Sequence, residues 1–568
     1  MPTSYRSRLE SLRYRLRQTR SICSSLAFLA CLLIAANAWA QADFVTYFSG
    51  SVGGVGKPGG MAFDDDGNFW VVSESFPTAA SARTRLNKVS NINGTWTADE
   101  YVSDDDFFLF YRSDAPETGD TNPFWQGPQF GIPSSFSLNP APLTIEVPTG
   151  SGGTTLKTYA AGELAFWTDA MPDNLAEPVS NGTVNRPDAV KRLVRYDLRK
   201  VDNPFAGISG PTSDVPDFAN ASDGNGGVFG ATGVADWNDV FTQVISAEQF
   251  WQASGGIDGG DNFGRQLAWS TDGQSIYTVD VSSRHGGIYK IDATGVGQIQ
   301  QLWDDGGRDN SLPGEPDSIG SEPAVLHTSV FDYEPNNPGV GDQIITEGSF
   351  DSGNSGGVNV FLDTGSGSVT PAPLFTGAEF REFSGYDGEI DPEYFAITAD
   401  INGDLYLYEE RTDGLYRFDT QRRFAKIISE IEHHEYQISQ INQRSTDIFN
   451  NLQVRRTMVD GIERTELVYL EDGRNFATGA AIEAPVGIIV YDTGDFDRDN
   501  DVDQDDLNLF SAALGTRGEG AIVDNYQFDL NGDAIGSNAA AIVDWKDVKV
   551  LQQFANIPNG DANFDGLL

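Results

Sequence analysis

The stretch EIDPEYFAITADINGDLYLYEERTDGLYRFD, Glu389 to Asp419, sets three short apolar runs around two tight-turn signals. The signals are Asn402-Gly403 and Asp413-Gly414, and such pairs favour hairpins because glycine accepts positive φ. Each run is too short for a helix and is bounded by turn residues, so the stretch reads as antiparallel strands.

The same grammar recurs along the chain. Short apolar runs closed by an acid begin at Phe69 (FWVVSE), Leu164 (LAFWTD), Ser275 (SIYTVD), Gln343 (QIITE), Asp404 (DLYLYEE) and Leu467 (LVYLED). Most are answered by a second run ending in aspartate: GGIYKID to Asp292, GGVNVFLD to Asp363, DGLYRFD to Asp419 and VGIIVYD to Asp492, with LVRYD to Asp197 after a longer insertion. The starts are spaced by 95, 111, 68, 61 and 63 residues. Strand groups repeating at roughly 40–70 residues are the signature of a β-propeller, one antiparallel blade per repeat. The fold class expected is therefore mainly β. Six blades are counted, or seven if a long interval hides another, over residues 41–490. The inserts near 100–160 and 200–260, rich in Gly, Pro, Asn and Asp, read as loops over one face. Phe424 to Leu452 breaks the pattern: Ile427, Ile431, His434, Ile438 and Ile441 give a helical stripe or a long irregular insert.

The phrases Glu389–Asp419 and Lys57–Glu74 (KPGGMAFDDDGNFWVVSE) resemble repeats of NHL-like, gluconolactonase-like and phytase-like propellers. The resemblance implies an architecture whose members include calcium-dependent lactonases and phosphoesterases. It transfers no catalytic residue, because Gly59-Gly60, Pro323-Ala324 and Pro392-Glu393 stand where metal ligands would be expected. The acids closing the runs, Glu74, Asp169, Asp280, Glu347, Glu409 and Glu471, are expected to gather on one rim, either around a hard cation or as turn caps. The densest acid stretch in the propeller is Arg381, Glu382, Asp387, Glu389, Asp391 and Glu393. Four histidines, His285, His327, His433 and His434, are too few and too scattered for a zinc site or a Ser-His-Asp triad. Catalytic residues stay unassigned. Three classes remain open: a binding or scaffold propeller, a metal-dependent hydrolase of lactone, phosphoester or glycan chemistry, and a lyase.

Seven aspartates crowd Gly494 to Leu507 (GDFDRDNDVDQDDL). Counting Asp495 as position 1 puts Asp497, Asp499, Asp501, Asp503 and Asp506 at positions 3, 5, 7, 9 and 12, which are the liganding positions of a calcium loop. Leu507, Phe510 and Leu514 then form one helical face. A second loop carries Asp529, Asn531 and Asp533 at positions 1, 3 and 5 and Asp544 and Asp547 at 9 and 12, with seven extra residues between its halves. Two such loops, with aspartate at position 12 and a helix only after each, resemble the dockerin type I domain. That resemblance implies an α-helical, EF-hand-like unit over residues 491–568 holding Ca²⁺, and a cohesin-like or cell-surface partner. It leads to a binding module of extracellular polysaccharide use with a possible carbohydrate ligand. Gly560 to Gly566 opens like a third loop.

At the other end, six arginines in residues 1–20, an apolar run from Ile22 to Ala36 and the small residues Ala38 and Ala40 read as a secretory signal over residues 1–40. Cleavage would remove both cysteines, Cys23 and Cys31, so disulfides and thiol catalysis are excluded from the product. It would also remove six of 37 basic and one of 83 acidic residues, leaving 31 against 82 and a net charge of −51. Such a surface repels nucleic acid and anionic membranes. No later run is apolar enough to span a bilayer, so the expected location is extracellular.

Overall fold

The structure is a computed structural model that describes residues 42–46, 57–64, 66–75, 83–92, 95–103, 132–148, 154–171, 190–199, 241–245, 247–253, 266–281, 286–304, 318–319, 324–327, 341–349, 356–369, 371–385, 392, 394–409, 412, 414–428, 451–459, 461–470, 486–497, 502–515, 528–531 and 543–554. The signal-like segment, His285, His433, His434, Glu471, Asp387, Glu389, Asp391, Glu393 and the third loop start lie outside them.

Six antiparallel sheets follow one another along the chain. Strand β1 (Ala42–Thr46) precedes blade 1, which comprises β2 (Lys57–Phe63), β3 (Phe69–Ser75), β4 (Arg83–Ile92) and β5 (Thr95–Ser103). Blade 2 is β6 (Ile132–Leu138), β9 (Leu164–Met171), β10 (Val190–Asp197) and β11 (Phe241–Ile245), with the hairpin β7 (Leu143–Pro148) and β8 (Thr154–Tyr159) inserted after β6. Helix α1 (Ala247–Ala253) leads to blade 3: β12 (Ala268–Trp269), β13 (Ser275–Val281), β14 (Gly286–Asp292) and β15 (Ile299–Asp304). Blade 4 is β16 (Ser318–Ile319) and β17 (Ala324–His327), both on β18 (Asp342–Ser349), then β19 (Gly357–Asp363) and β20 (Pro371–Phe375). After helix α2 (Gly377–Ser384), blade 5 is β21 (Tyr394–Ala399), β22 (Leu405–Glu409), β23 (Gly414–Phe418) and β24 (Phe424–Ile428). Blade 6 is β25 (Asn451–Val459), β26 (Ile462–Leu470) and β27 (Val486–Val490), completed by β1 at the far end of the chain. Two further helices follow, α3 (Gln504–Ala513) and α4 (Trp545–Phe554).

The first strands of the blades touch in succession: β25 meets β2, β2 meets β6, β12 meets β17, β17 meets β21 and β21 meets β25, and Trp269 Nε1 of β12 donates to Ser137 Oγ of β6 at 2.8 Å. That ring is a six-bladed β-propeller. Its closure is non-covalent: β1 joins blade 6 by pairing with β27 from Ala42↔Val490 to Thr46↔Val486.

The second strands read as continuous apolar runs because both their faces are covered. In β22, Leu405 and Leu407 pack towards blade 4, while Tyr406 and Tyr408 pack towards blade 6. Fully burying each such side chain stabilises the fold by about 1.5–3 kcal/mol. The glycine at Gly60 answers to the same close packing, since a Cβ there would sit 2.4 Å from the Phe136 nitrogen on the neighbouring β6.

Three expectations are corrected. The insert near 100–160 is not all loop: it contains β6 and the β7–β8 hairpin, and Phe241–Ile245 in the second insert is the last strand of blade 2. The long intervals are thereby accounted for within six blades. The helical stripe begins on a strand, for Phe424–Ile428 is β24, and Ile427 belongs to the sheet core. Ile431, His434, Ile438 and Ile441 lie outside the described residues.

Candidate metal centre

The acids of the repeat have two local jobs. Aspartates ending the third strands cap the turns that follow: Asp197 accepts from the Arg199 N–H (3.0 Å), Asp292 from Thr294 (2.8 Å), Asp363 from Gly365 (2.8 Å) and Asp419 from Gln421 (3.0 Å). Asp400 does the same at the first hairpin of blade 5, accepting from the N–H groups of Asn402 and Asp404. These are Asx turns, which hold a chain reversal without strain.

Glu74, Asp169, Asp280, Glu347 and Glu409 all fall in the last three residues of their second strands, so they share one end of the blades. Among these acids the structure describes the side chains of Glu347 and Glu409. Alternation along the strands directs Glu347 with Ile345, and Glu409 with Leu407, into the core shared by blades 4 and 5. Glu409 is fully buried, and its Oε2 accepts from both the Thr412 N–H and hydroxyl, each at 2.7 Å. It is a turn cap. The neighbouring Tyr394 hydroxyl is buried without a hydrogen-bond partner, and burial, then Glu409, raises its pKa well above the usual phenol range.

At the opposite end of the blades lies a polar recess of about 250 Å³ between blades 5 and 6. The corresponding junction of blades 3 and 4 is bridged by side chains. There the Tyr277 hydroxyl donates to Asp342 (2.9 Å) and Asp363 (2.7 Å), and Lys290 bonds Asp363 at 2.7 Å. In blade 5 the equivalent cross-strand pair, Tyr406 and Arg417, bonds to acids of its own blade, and the Tyr406 hydroxyl also meets the Thr465 side chain of blade 6. Tyr406 donates to Asp400 at 3.3 Å, and Arg417 Nε to Asp404 at 2.7 Å. Burial raises the Asp404 pKa despite that arginine. The recess that results is lined also by Arg456, Glu463, Arg464 and Asp492.

Beside it sits the acidic tail. One carboxylate oxygen from each of Asp495, Asp497 and Asp506 lies within 4.8 Å of the other two. Helix α3 builds this cluster. Asp503 caps its N-terminus, accepting from the Asp505 N–H, and Asp506 closes the capping box. Asp506 Oδ1 accepts from Phe496 (2.5 Å) and Asp497 (3.1 Å), and its Oδ2 from Asp503 (2.8 Å), so the twelfth residue folds the loop back on its start. Asp499 and Asp501 lie outside the described residues. The second loop repeats the device: Asp547 Oδ1 accepts from Asn531 (3.2 Å) and Oδ2 from Asp544 (2.7 Å), with Asp529 and Asp547 fully buried. Asp544 accepts from the Lys546 N–H at 2.7 Å, and Asp533 is outside the described residues.

The first donor set fits calcium. With Ca–O bonds of about 2.3–2.6 Å, two oxygens on one ion stand no more than about 5 Å apart. The three carboxylates meet that limit. A bound calcium would supply the positive charge that their mutual repulsion calls for.

Sequence reasoning missed where this tail goes. Phe496, Leu507, Phe510, Phe528, Leu530, Val543 and Leu551 share a core with Ala425 of β24, and Phe383 of α2 packs against it. Leu507 and Phe510 are buried as expected, but Ala513 takes the place assigned to Leu514, which is 44% exposed. The Lys426 N–H donates to the Leu530 carbonyl (3.1 Å), and Arg423 lies over the Phe554 ring and donates to the Gln553 carbonyl. Buried Arg464 faces Asp495 at 3.7 Å, and buried Lys426 faces Asp529 at 3.6 Å. No signal local to the loops announces these partners, which come from strands of blades 6 and 5.

No protein-family model and no curated protein matches the chain. Solved structures do, at low similarity. A PQQ-bound aldose sugar dehydrogenase from Streptomyces coelicolor is 14% identical, covering 79% of this chain and 99% of that one at a TM-score of 0.32. A luciferin-regenerating enzyme is 10% identical over 78% and 95%, with a TM-score of 0.34. Virginiamycin B lyase from Staphylococcus aureus is 11% identical over 79% and 98%, with a TM-score of 0.29. The propeller assignment rests on the strand order given above.

Proposed function

We propose that this chain is an exported, calcium-binding β-propeller that acts as a binding module, with its dockerin-like tail holding the ion. The observation that carries the reading is the convergence of Asp495, Asp497 and Asp506 at positions 1, 3 and 12 of one loop. Hydrolysis at the channel mouth has weaker support, because Glu409 is already engaged as a turn cap. A docking partner for the tail is supported by three exposed apolar side chains, Leu509, Leu514 and Trp545, which are 42%, 44% and 60% exposed. An association with extracellular polysaccharide follows from the resemblance to dockerins, whose partners are cohesins.

Calcium titration of the whole chain by calorimetry tests the reading. Asp497 is exposed, so Asp497→Ala removes a ligand with little cost to folding. The expected result is calcium uptake by the wild type and its loss at the first loop in the variant. Absence of uptake by the wild type would refute the proposal.

A further inference from the structure

The two loops meet the ring in the same way. Position 1 of each is a fully buried aspartate, Asp495 or Asp529. Against each stands a buried propeller cation: Arg464 of β26, 4% exposed, and Lys426 of β24, 2% exposed. In both cases the contact is to Oδ2, at 3.7 Å and 3.6 Å. Arg464 is further held over the Tyr491 ring at 4.8 Å, on the segment that leads into the tail.

A buried carboxylate without a counter-charge is strongly destabilising, and a pair broken on one side leaves the other charge stranded. The loops would therefore repel themselves open without calcium unless something else supplied positive charge. Arg464 and Lys426 supply it. The same cations work against a divalent ion arriving at the same aspartates, because like charges at this range repel strongly in a poorly hydrated site.

Building on the calcium reading above, we propose that Arg464 and Lys426 are resident counter-cations of the two loops. They hold the tail on blades 5 and 6 when calcium is absent and lower the affinity with which it binds. They are positioning residues for the metal site rather than ligands. The tail is thus a docked part of the propeller in both states, and calcium acts on a folded surface.

The test uses the full chain: wild type, Arg464→Met, Arg464→Lys and Lys426→Met, each melted in chelator and in calcium and titrated against a chromophoric calcium chelator. Arg464→Met is expected to lose more melting temperature in chelator than in saturating calcium, and to bind calcium roughly tenfold tighter at the first loop. Arg464→Lys should restore both values towards wild type, and Lys426→Met should repeat the pattern at the second loop. Equal losses in both media with unchanged affinity would overturn the proposal, leaving the cations as packing alone. Wild type that takes up no calcium would instead overturn the calcium reading itself. Should Arg464→Met not fold, Arg464→Gln replaces it. Folding rescued by calcium supports the proposal, and failure in both media counts against it.

Discussion

Glu409 shows how a residue's surroundings decide between chemistry and construction. By sequence it was one of six acids suited either to a metal rim or to capping a turn. In the fold its Oε2 takes both hydrogen bonds that Thr412 offers, and the Tyr416 hydroxyl donates in turn to Thr412 Oγ1 at 2.9 Å. Glu409→Ala would leave a buried N–H and hydroxyl unmet. We expect a loss of about 2–4 kcal/mol in denaturant unfolding, with calcium stoichiometry unchanged. A neutral result would mean that water replaces the carboxylate. The third-strand aspartates were equally visible in the sequence as run ends, and the structure adds their role, the local Asx turn. Arg464 and Lys426 were not visible. On their strands they read as ordinary charges, and only the three-dimensional return of the tail, some thirty to a hundred residues later, gives them partners.

Among elements, the second strands were legible because two covered faces make an unbroken apolar run. β6 (IPSSFSL) was not, since three of its seven residues are serines. Ser135 bonds within the sheet, to Thr168 Oγ1 at 2.5 Å, and Ser137 accepts from Trp269 Nε1 of blade 3 at 2.8 Å. The β7–β8 hairpin was likewise hidden inside a glycine-rich insert. It carries Tyr159, buried beneath the Arg199 guanidinium at 3.8 Å, and burial, then Asp197, raises its phenol from 10.0 to about 12. The folded chain therefore keeps a proton that the unfolded chain loses near pH 10. Its stabilisation is whole below pH 10 and disappears as pH rises through about 12, a span worth about 3 kcal/mol. Stability measured across that window should fall less steeply in Tyr159→Phe. An identical slope would show that the other buried tyrosines account for the loss. β1 offers a second test at this scale. Removing residues 42–46 strips the fourth strand from blade 6, and calorimetry should show a lower and broader transition. An unchanged transition would mean that the ring closes without it.

For the whole molecule, the formal net charge of −46 makes self-repulsion a standing cost, which any salt relieves by screening. The proposed calcium site would add to this. About 1 mM calcium should raise the melting temperature more than sodium chloride at matched ionic strength, and equal effects would reduce calcium to a screening ion. The closing blade has a further, mechanical consequence. The chain leaves the ring at β27, directly before the tail, and β27 is held on one side by β26 and on the other by β1. If the tail is an anchor, a pull on residue 491 runs along β27 rather than across it. Five paired residues on each flank must then slide together before the ring can open. Tension would meet the propeller in shear, the direction in which a hydrogen-bonded ladder fails all at once instead of unzipping pair by pair.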